Sequence, residues 1–100
     1  MESFKDIING DRPVLVDFFA TWCGPCKAMS PIIDALGKEL QGQARILKVD
    51  IDKNPAIANQ LGIQAVPTLV IFKNGEVVWR NSGGMSKSAL YEQVKKFIGQ

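Results

Sequence analysis

The stretch that decides the fold runs from residue 14 to residue 26 and reads Val-Leu-Val-Asp-Phe-Phe-Ala-Thr-Trp-Cys-Gly-Pro-Cys. Its first part, Val14 to Phe19, is a nearly continuous apolar run, which is typical of a central strand buried on both faces. Asp17 is the exception to this pattern. The second part, Trp22 to Cys26, leads directly into an amphipathic segment. Both cysteines therefore lie where a buried strand ends and a helix begins, the place where reactive groups collect in α/β folds.

The segment after the cysteines predicts a helix and a second strand. Apolar residues recur at helical spacing from Pro25 to about Leu40, with Pro31 expected to kink the helix and Gly42 to break it. Ala44 to Ile51 predicts a second buried strand, rich in Ile, Leu and Val but carrying Lys48. Since a long helical crossover joins the two strands, we expect them to be parallel neighbours.

Turn signals organise the next part of the chain. Asn54-Pro55 predicts the start of a short helix that ends at Gly62, a residue suited to the left-handed position beyond a helix C-terminus. Strand-like runs over Thr68 to Lys73 and Glu76 to Arg80 are joined by Asn74-Gly75, which specifies a tight primed hairpin turn. We therefore expect the last strand to be an antiparallel edge strand.

Helices are also predicted near both ends of the chain. Ser3 to Asn9 has the spacing of a short helix with Ser3 as its cap and Gly10 as its stop. Ser86 can cap a last helix whose apolar residues recur on one face, namely Leu90, Val94, Phe97 and Ile98. The sequence thus predicts an α/β fold with a mixed central sheet of about four strands flanked by helices.

Composition limits the number of domains and the kinds of chemistry. The chain has 100 residues, 46% of them apolar and 22% charged, which predicts one folded domain spanning residues 1–100. Histidine is absent, so catalysis by a Ser-His or Cys-His pair and most zinc sites are excluded. Two cysteines are too few for a disulfide scaffold, which favours a chemical role for any bridge between them.

Charge and hydropathy limit the partners. The net charge of +2 comes from Lys and Arg scattered among Asp and Glu, which does not favour a nucleic-acid partner. No apolar run approaches the roughly 20 residues of a membrane-spanning helix, and the first residues are too charged for a signal peptide. We therefore expect a cytoplasmic protein with no nucleic-acid or membrane partner. A monomer is expected for such a small, evenly charged surface.

The position of the two cysteines indicates thiol chemistry. A cysteine at a helix N-terminus faces unpaired backbone N–H groups and the positive end of the helix dipole, and both favour the thiolate. Cys23 is therefore the candidate nucleophile. Cys26, one turn further, lies close enough to attack a mixed disulfide formed on Cys23, so it is the candidate resolving thiol.

Over nearly its whole length the chain resembles the thioredoxin family, through the strand and pentapeptide above, Ala65-Val66-Pro67-Thr68 and Asn74-Gly75. The resemblance implies a thioredoxin-like fold and a protein-disulfide reductase that contributes to redox homeostasis and electron transport, with Cys23 and Cys26 forming the redox-active disulfide. It also implies disulfide-containing protein substrates, a thioredoxin reductase as electron donor, and no cofactor or metal. Gly24-Pro25 matches the dipeptide of the reducing members, whereas oxidants and isomerases usually carry a His there.

The resemblance implies roles for residues outside the pentapeptide. Asp17 matches the family's buried carboxylate and would accept the Cys26 proton through water, while the Lys48 ammonium would lower a carboxyl pKa that burial raises. Pro67 matches the cis-proline facing the dithiol, which would leave the Val66 backbone free to pair with an extended substrate. The implied docking surface comprises Trp22, Gly24, Pro25, Ile51, Val66, Pro67, Gly83 and Gly84.

The chain also departs from the family. The family usually has an extra strand before its first helix, and that strand is expected to be absent or very short here. A second Trp common in the family is replaced by Phe19.

Other interpretations of the same residues stay open. Asp17 could be kept only for hydrogen bonding, Lys48 could extend to solvent, and Pro67 could be an ordinary trans proline. The cysteines could be inert or could hold a metal or iron-sulfur group across a dimer, and the chain could be a noncatalytic docking subunit.

Overall fold

The structure, a computed structural model, describes residues 2–99. These residues form four helices and four strands, in the order α1 (Phe4–Ile8), β1 (Val14–Phe19), α2 (Gly24–Glu39), β2 (Arg45–Asp50), α3 (Pro55–Gln60), β3 (Thr68–Lys73), β4 (Glu76–Ser82) and α4 (Lys87–Lys95). The strands make one sheet in the order β2-β1-β3-β4. This confirms the predicted mixed sheet flanked by helices, and no strand precedes α1 within the described residues.

The strand β1 is the centre of the sheet, as its apolar sequence predicts. It pairs in parallel with β2 and antiparallel with β3. Alternate side chains of a strand point to opposite faces, so Leu15 joins the cluster beneath α2 and α4 while Val16 and Phe18 join the cluster beneath α1. Asp17 has the same parity as Leu15, which places it on the α2 face of the sheet.

The strand predicted over Ala44 to Ile51 is present as β2, but the expectation that it is buried is wrong for most of its residues. Four of its residues, Arg45 to Lys48, are half-buried, and only Val49 and Asp50 are buried. The reason is topological, because β2 is an edge strand that pairs only with β1 within residues 2–99. The parallel pairing of β1 and β2 is confirmed, and it places Asp17 directly beside Lys48.

Local signals fixed most of the helix ends and the hairpin. Ser3 accepts from the Asp6 N–H in a capping box, and Ser86 accepts from the Ala89 N–H at the start of α4. Asn74 and Gly75 have φ values of 54° and 81°, as the primed turn between β3 and β4 requires.

Two proline predictions have different outcomes. Pro55 begins α3, but the side chain of Asn54 makes no cap hydrogen bond and instead donates to the Asp50 carbonyl at 3.0 Å. α2 continues through Pro31, and the kink there stays a prediction.

In residues 2–99 no helix is long and apolar enough to cross a membrane.

Candidate active site

The site is built at the N-terminus of α2, where the chain leaves β1. Cys23 is the N-cap of α2, and its sulfur accepts a hydrogen bond from the Cys26 backbone N–H at 3.1 Å. The sulfur therefore has the place that a Ser or Asp oxygen occupies in an ordinary N-cap. Pro25 lies in the first turn, where its missing N–H leaves no helical hydrogen bond unmade. The two cysteines form a disulfide, with their Cα atoms 5.3 Å apart.

The disulfide lies just below the surface. Cys23 and Cys26 are 5% and 4% exposed and form a small cluster with Ala20, against which Ile51 and Val66 pack. The Val66-Pro67 peptide bond is cis, as the resemblance implies. The Cys23 sulfur lies 3.6 Å from the Val66 carbonyl oxygen, so this backbone segment lies beside the reactive atom.

Trp22 forms the exposed rim of the site. Its side chain is 68% exposed, and its indole N–H donates to Asp52 Oδ2 at 2.9 Å. The sequence reasoning missed Asp52. A signal existed, because parallel strands end at the same edge of a sheet and Asp52 follows the end of β2 as Trp22 follows the end of β1.

Gly83 and Gly84 are held near the cis-proline by different contacts. The Gly83 N–H donates to the Pro67 carbonyl at 2.8 Å, and its φ of +100° favours glycine. A Cβ at Gly84 would lie 3.3 Å from the Met29 sulfur, which also accepts from the Met85 N–H at 3.5 Å. The small size of Gly84 is therefore explained by packing against Met29 on α2.

Asp17 lies behind the disulfide in a cavity of about 310 Å³. The carboxyl group is 1% exposed, and its Oδ1 has no hydrogen-bond partner among residues 2–99. Burial raises the pKa of Asp17 to about 6, and the positive charge of Lys48 offsets part of this effect. Cys26 lines the same cavity, so the structure places Asp17 and Cys26 around one partly open cavity.

Lys48 also lines this cavity, and its ammonium contacts side chains of α2. Its Nζ donates to Ser30 Oγ at 2.7 Å and lies 2.8 Å from Asp34 Oδ1. Both partners are on α2, and no ion pair joins Lys48 to Asp17 within the described residues. The pairing of β1 with β2 places Asp17 and Lys48 side by side in the sheet, while the Lys48 ammonium binds side chains of α2.

Taken together, a mixed sheet with a Cys-Gly-Pro-Cys pair at the first turn of its long helix defines the class of thiol-disulfide oxidoreductases. Residues 1–96 match the sequence profile of the thioredoxin family. The chain belongs to the thioredoxin family.

Individual relatives agree with this assignment. The chain is 47% identical to a thioredoxin of Rickettsia felis over 94 residues, covering 94% of this chain and 90% of the relative. It is 47% identical to a thioredoxin of Porphyra purpurea over 97 residues, covering 96% of this chain and 91% of the relative. A solved structure, that of a mutant thioredoxin from Halobacterium salinarum NRC-1, has a TM-score of 0.86 at 36% identity, covering 96% of this chain and 83% of that one.

Membership of the family gives the activity. The chain is a protein-disulfide oxidoreductase, and the disulfide between Cys23 and Cys26 is its redox-active pair. In general terms its partners are disulfide-containing proteins and a thioredoxin reductase. Within residues 2–99 no group of three or more His, Cys, Asp or Glu side chains is arranged to hold a metal ion.

Proposed function

We propose that this protein reduces protein disulfides by two successive exchanges on Cys23 and Cys26. The Cys23 thiolate attacks one sulfur of the substrate disulfide, forming a mixed disulfide while the other substrate sulfur leaves as a thiolate. The Cys26 thiolate then attacks the Cys23 sulfur, forming the internal disulfide and releasing the second substrate thiolate. Two electrons pass to the substrate, and a reductase dithiol restores the pair. The observation that carries this order is the hydrogen bond from the Cys26 backbone N–H to the Cys23 sulfur, because such a donor favours the thiolate on Cys23.

Asp17 acts as the proton acceptor for Cys26 in this proposal. The support is that both groups line one cavity and that the pKa of the carboxyl lies near neutrality, as a general base requires. Lys48, which lines the same cavity, tunes this carboxyl through its charge. Proton transfer from Cys26 makes the thiolate that resolves the mixed disulfide.

The substrate docks on the surface around the cis-proline. We place an extended substrate segment against the Val66 backbone, because the Val66 carbonyl already lies beside the Cys23 sulfur. Trp22, Gly24 and Pro25 form one wall of this surface on the exposed side of the disulfide. Ile51, Pro67, Gly83 and Gly84 complete the set carried over from the family.

The remaining assignments concern the whole molecule. We propose that residues 1–100 act as one domain and as a monomer, in the cytoplasm, with no nucleic-acid or membrane partner. The lack of His between the cysteines supports this compartment, since the pair is then expected to be reducing and suits a reducing environment.

A reduction potential near −270 mV in defined thiol buffers is expected, whereas a value about 100 mV higher would indicate an oxidant or isomerase.

The order of attack is tested by trapping. The reduced protein, its Cys23→Ser variant and its Cys26→Ser variant are each mixed with a protein that carries one accessible disulfide. We expect Cys26→Ser to accumulate a mixed disulfide visible on a nonreducing gel, and Cys23→Ser to form none. The reverse pattern would exchange the two roles. Full biological activity of Cys23→Ser would instead favour a noncatalytic docking subunit.

A further inference from the structure

The face of α2 that looks onto Lys48 carries three polar or reactive groups at one-turn intervals. Cys26, Ser30 and Asp34 are separated by four residues each, so they lie on one face of the helix. Cys26 lines the cavity beside Asp17, and Ser30 lines the same cavity one turn further on. Asp34 follows on the exposed continuation of this face. One face of α2 therefore carries Cys26 and, further along, Ser30 and Asp34, whose side-chain oxygens can bind a cation.

The Lys48 ammonium binds both Ser30 and Asp34. It lies 2.7 Å from Ser30 Oγ and 2.8 Å from Asp34 Oδ1. Lys48 nevertheless starts directly beside Asp17, because the two residues are Cα partners across β1 and β2 and share a sheet face. Its flexible stem leaves two anions within its range, Asp34 on the helix and Asp17 in the cavity. In the structure the ammonium pairs with Asp34, and Asp17 Oδ1 has no hydrogen-bond partner among residues 2–99.

We propose that Ser30 and Asp34 are positioning residues that hold the Lys48 ammonium away from the Asp17 carboxyl, so that Asp17 can accept the Cys26 proton. We call these two residues the α2 anchor. This inference rests on the proposed role of Asp17 in resolution. Both anchor residues contact the Lys48 ammonium, and in this proposal both act through it.

The physical reason is a competition for one cation. An ammonium in direct contact with a carboxylate favours the charged form and lowers the carboxyl pKa by roughly 1 to 3. With Lys48 on the α2 anchor, desolvation dominates instead and the pKa of Asp17 stays at about 6. A direct pair would make Asp17 a weaker base for Cys26 at neutral pH. The other titratable groups that line the cavity are Cys26 and Lys27. β3 presents Leu69 opposite Asp17 and adds no charge.

The test measures the pKa of Asp17 by carboxyl carbon NMR in the oxidised protein, in which the bonded cysteines do not titrate. Ser30→Ala removes one anchor contact without changing any charge, so it is the primary variant. We expect the pKa of Asp17 to fall by roughly 1 in Ser30→Ala, and by more in Asp34→Asn, where a nearby negative charge is lost as well. An unchanged or raised pKa in Ser30→Ala would overturn the proposal.

Lys48→Gln supplies the background that isolates the mechanism. If the anchor acts through the ammonium, Ser30→Ala should leave the pKa of Asp17 unchanged once Lys48 is replaced, and this non-additivity is the expected signature. Equal effects of Ser30→Ala with and without Lys48 would show that Ser30 acts on Asp17 by another route. Glu39→Gln is the matched control for Asp34→Asn. Glu39 is on the same helix, α2, and its exposed ion pair is with Lys87 of α4, so the variant breaks an ion pair and changes the net charge by the same amount.

A kinetic readout separates this proposal from the role of Asp17 itself. In single-turnover mixing, the acid limb of the resolution rate should move to lower pH by the same amount as the pKa of Asp17 in Ser30→Ala. If Asp17→Asn leaves resolution unchanged, the proposed proton acceptor fails, while the NMR titration still decides whether the anchor controls Lys48. If Asp17→Asn slows resolution and Ser30→Ala leaves both readouts unchanged, only the anchor fails.

Discussion

The Cys26 backbone N–H donates to the Cys23 sulfur at 3.1 Å, across the first turn of α2. In the reduced protein this contact and the helix N-terminus both favour a negative charge on Cys23, whereas Cys26 lies one turn inside the helix. The two cysteine residues are almost equally buried, so the prediction that distinguishes them rests on electrostatics.

The first prediction follows from this asymmetry. At pH 7 we expect iodoacetamide to alkylate Cys23 of the reduced protein roughly tenfold faster than Cys26, because the thiolate is the reacting form. Peptide mass spectrometry after timed quenching measures both rates in the same sample. The urea-unfolded protein is the control, in which the two cysteines should react at similar rates. Equal rates in the folded protein would remove the electrostatic argument for Cys23 as nucleophile.

The second prediction concerns the stability cost of the Asp17 charge. The pKa of Asp17 is raised from its ordinary value of 3.8 to about 6, so the folded state binds this proton more tightly than the unfolded state. Stability from this group is therefore fully present below about pH 4 and is lost as the pH rises to about 6. The loss amounts to about 3 kcal/mol.

Replacing Asp17 by Asn should remove most of that cost. In urea unfolding of the oxidised protein at pH 7, we expect Asp17→Asn to be more stable by about 2 kcal/mol, with part of the gain offset by the buried amide. The gain should shrink as the pH falls from 6 to 4. Asp11→Asn, at an exposed carboxylate, is the control and should show no such trend. A gain that does not depend on pH would mean that ionisation is not its cause.

The sequence predicted those features that depend on neighbouring residues. Ser3, Ser86 and Asn74-Gly75 act within four residues of themselves, so their caps and turn could be predicted without tertiary structure. The Cys-Gly-Pro-Cys pair and its place at a strand-helix junction are local in the same way.

Features that depend on distant contacts could not be predicted. The edge position of β2 follows from which strands pair, and its content of Ile, Leu and Val does not indicate that position. Asp52 lies 30 residues from Trp22 in the chain, and Ser30 lies 18 residues from Lys48. The family resemblance implied that Lys48 lies near Asp17, but whether Lys48 binds Asp17 or Asp34 depends on the packing of α2 against the sheet.

The third prediction concerns the hydrogen bond between Trp22 and Asp52. Since the indole is 68% exposed, this contact is expected to fix its orientation rather than its burial. We expect Asp52→Ala to raise KM for a protein disulfide roughly threefold with kcat nearly unchanged, as one exposed hydrogen bond is worth about 0.5 to 1 kcal/mol.

Fluorescence supplies an independent readout for Trp22. The chain has two tryptophans, so the Trp79→Phe background leaves Trp22 as the only tryptophan, which excitation near the red edge of the absorption band selects over Tyr91. Anisotropy of Trp22 should fall in Asp52→Ala and stay at the parent value in Lys53→Ala, an exposed neighbour. Unchanged anisotropy together with unchanged KM would show that the docking surface does not depend on Asp52.

The fourth prediction separates the two glycines beside the cis-proline. Gly83 has a φ of +100°, so an alanine there is strained whatever space is available, and we expect Gly83→Ala to cost at least about 1 kcal/mol of stability. At Gly84 a Cβ would meet only the flexible Met29 side chain, at 3.3 Å from its sulfur. We therefore expect Gly84→Ala to cost less than about 1 kcal/mol of stability.

The two variants should also differ in docking. Gly83 donates to the Pro67 carbonyl, so strain at Gly83 should disturb the backbone beside Cys23 and raise KM for a protein disulfide. A small aromatic disulfide needs no docked chain, and its rate should change little in either variant. Urea unfolding and paired rate measurements decide the order. If Gly84→Ala is the more damaging variant in both, then packing against Met29, and not the backbone conformation of Gly83, controls this side of the site.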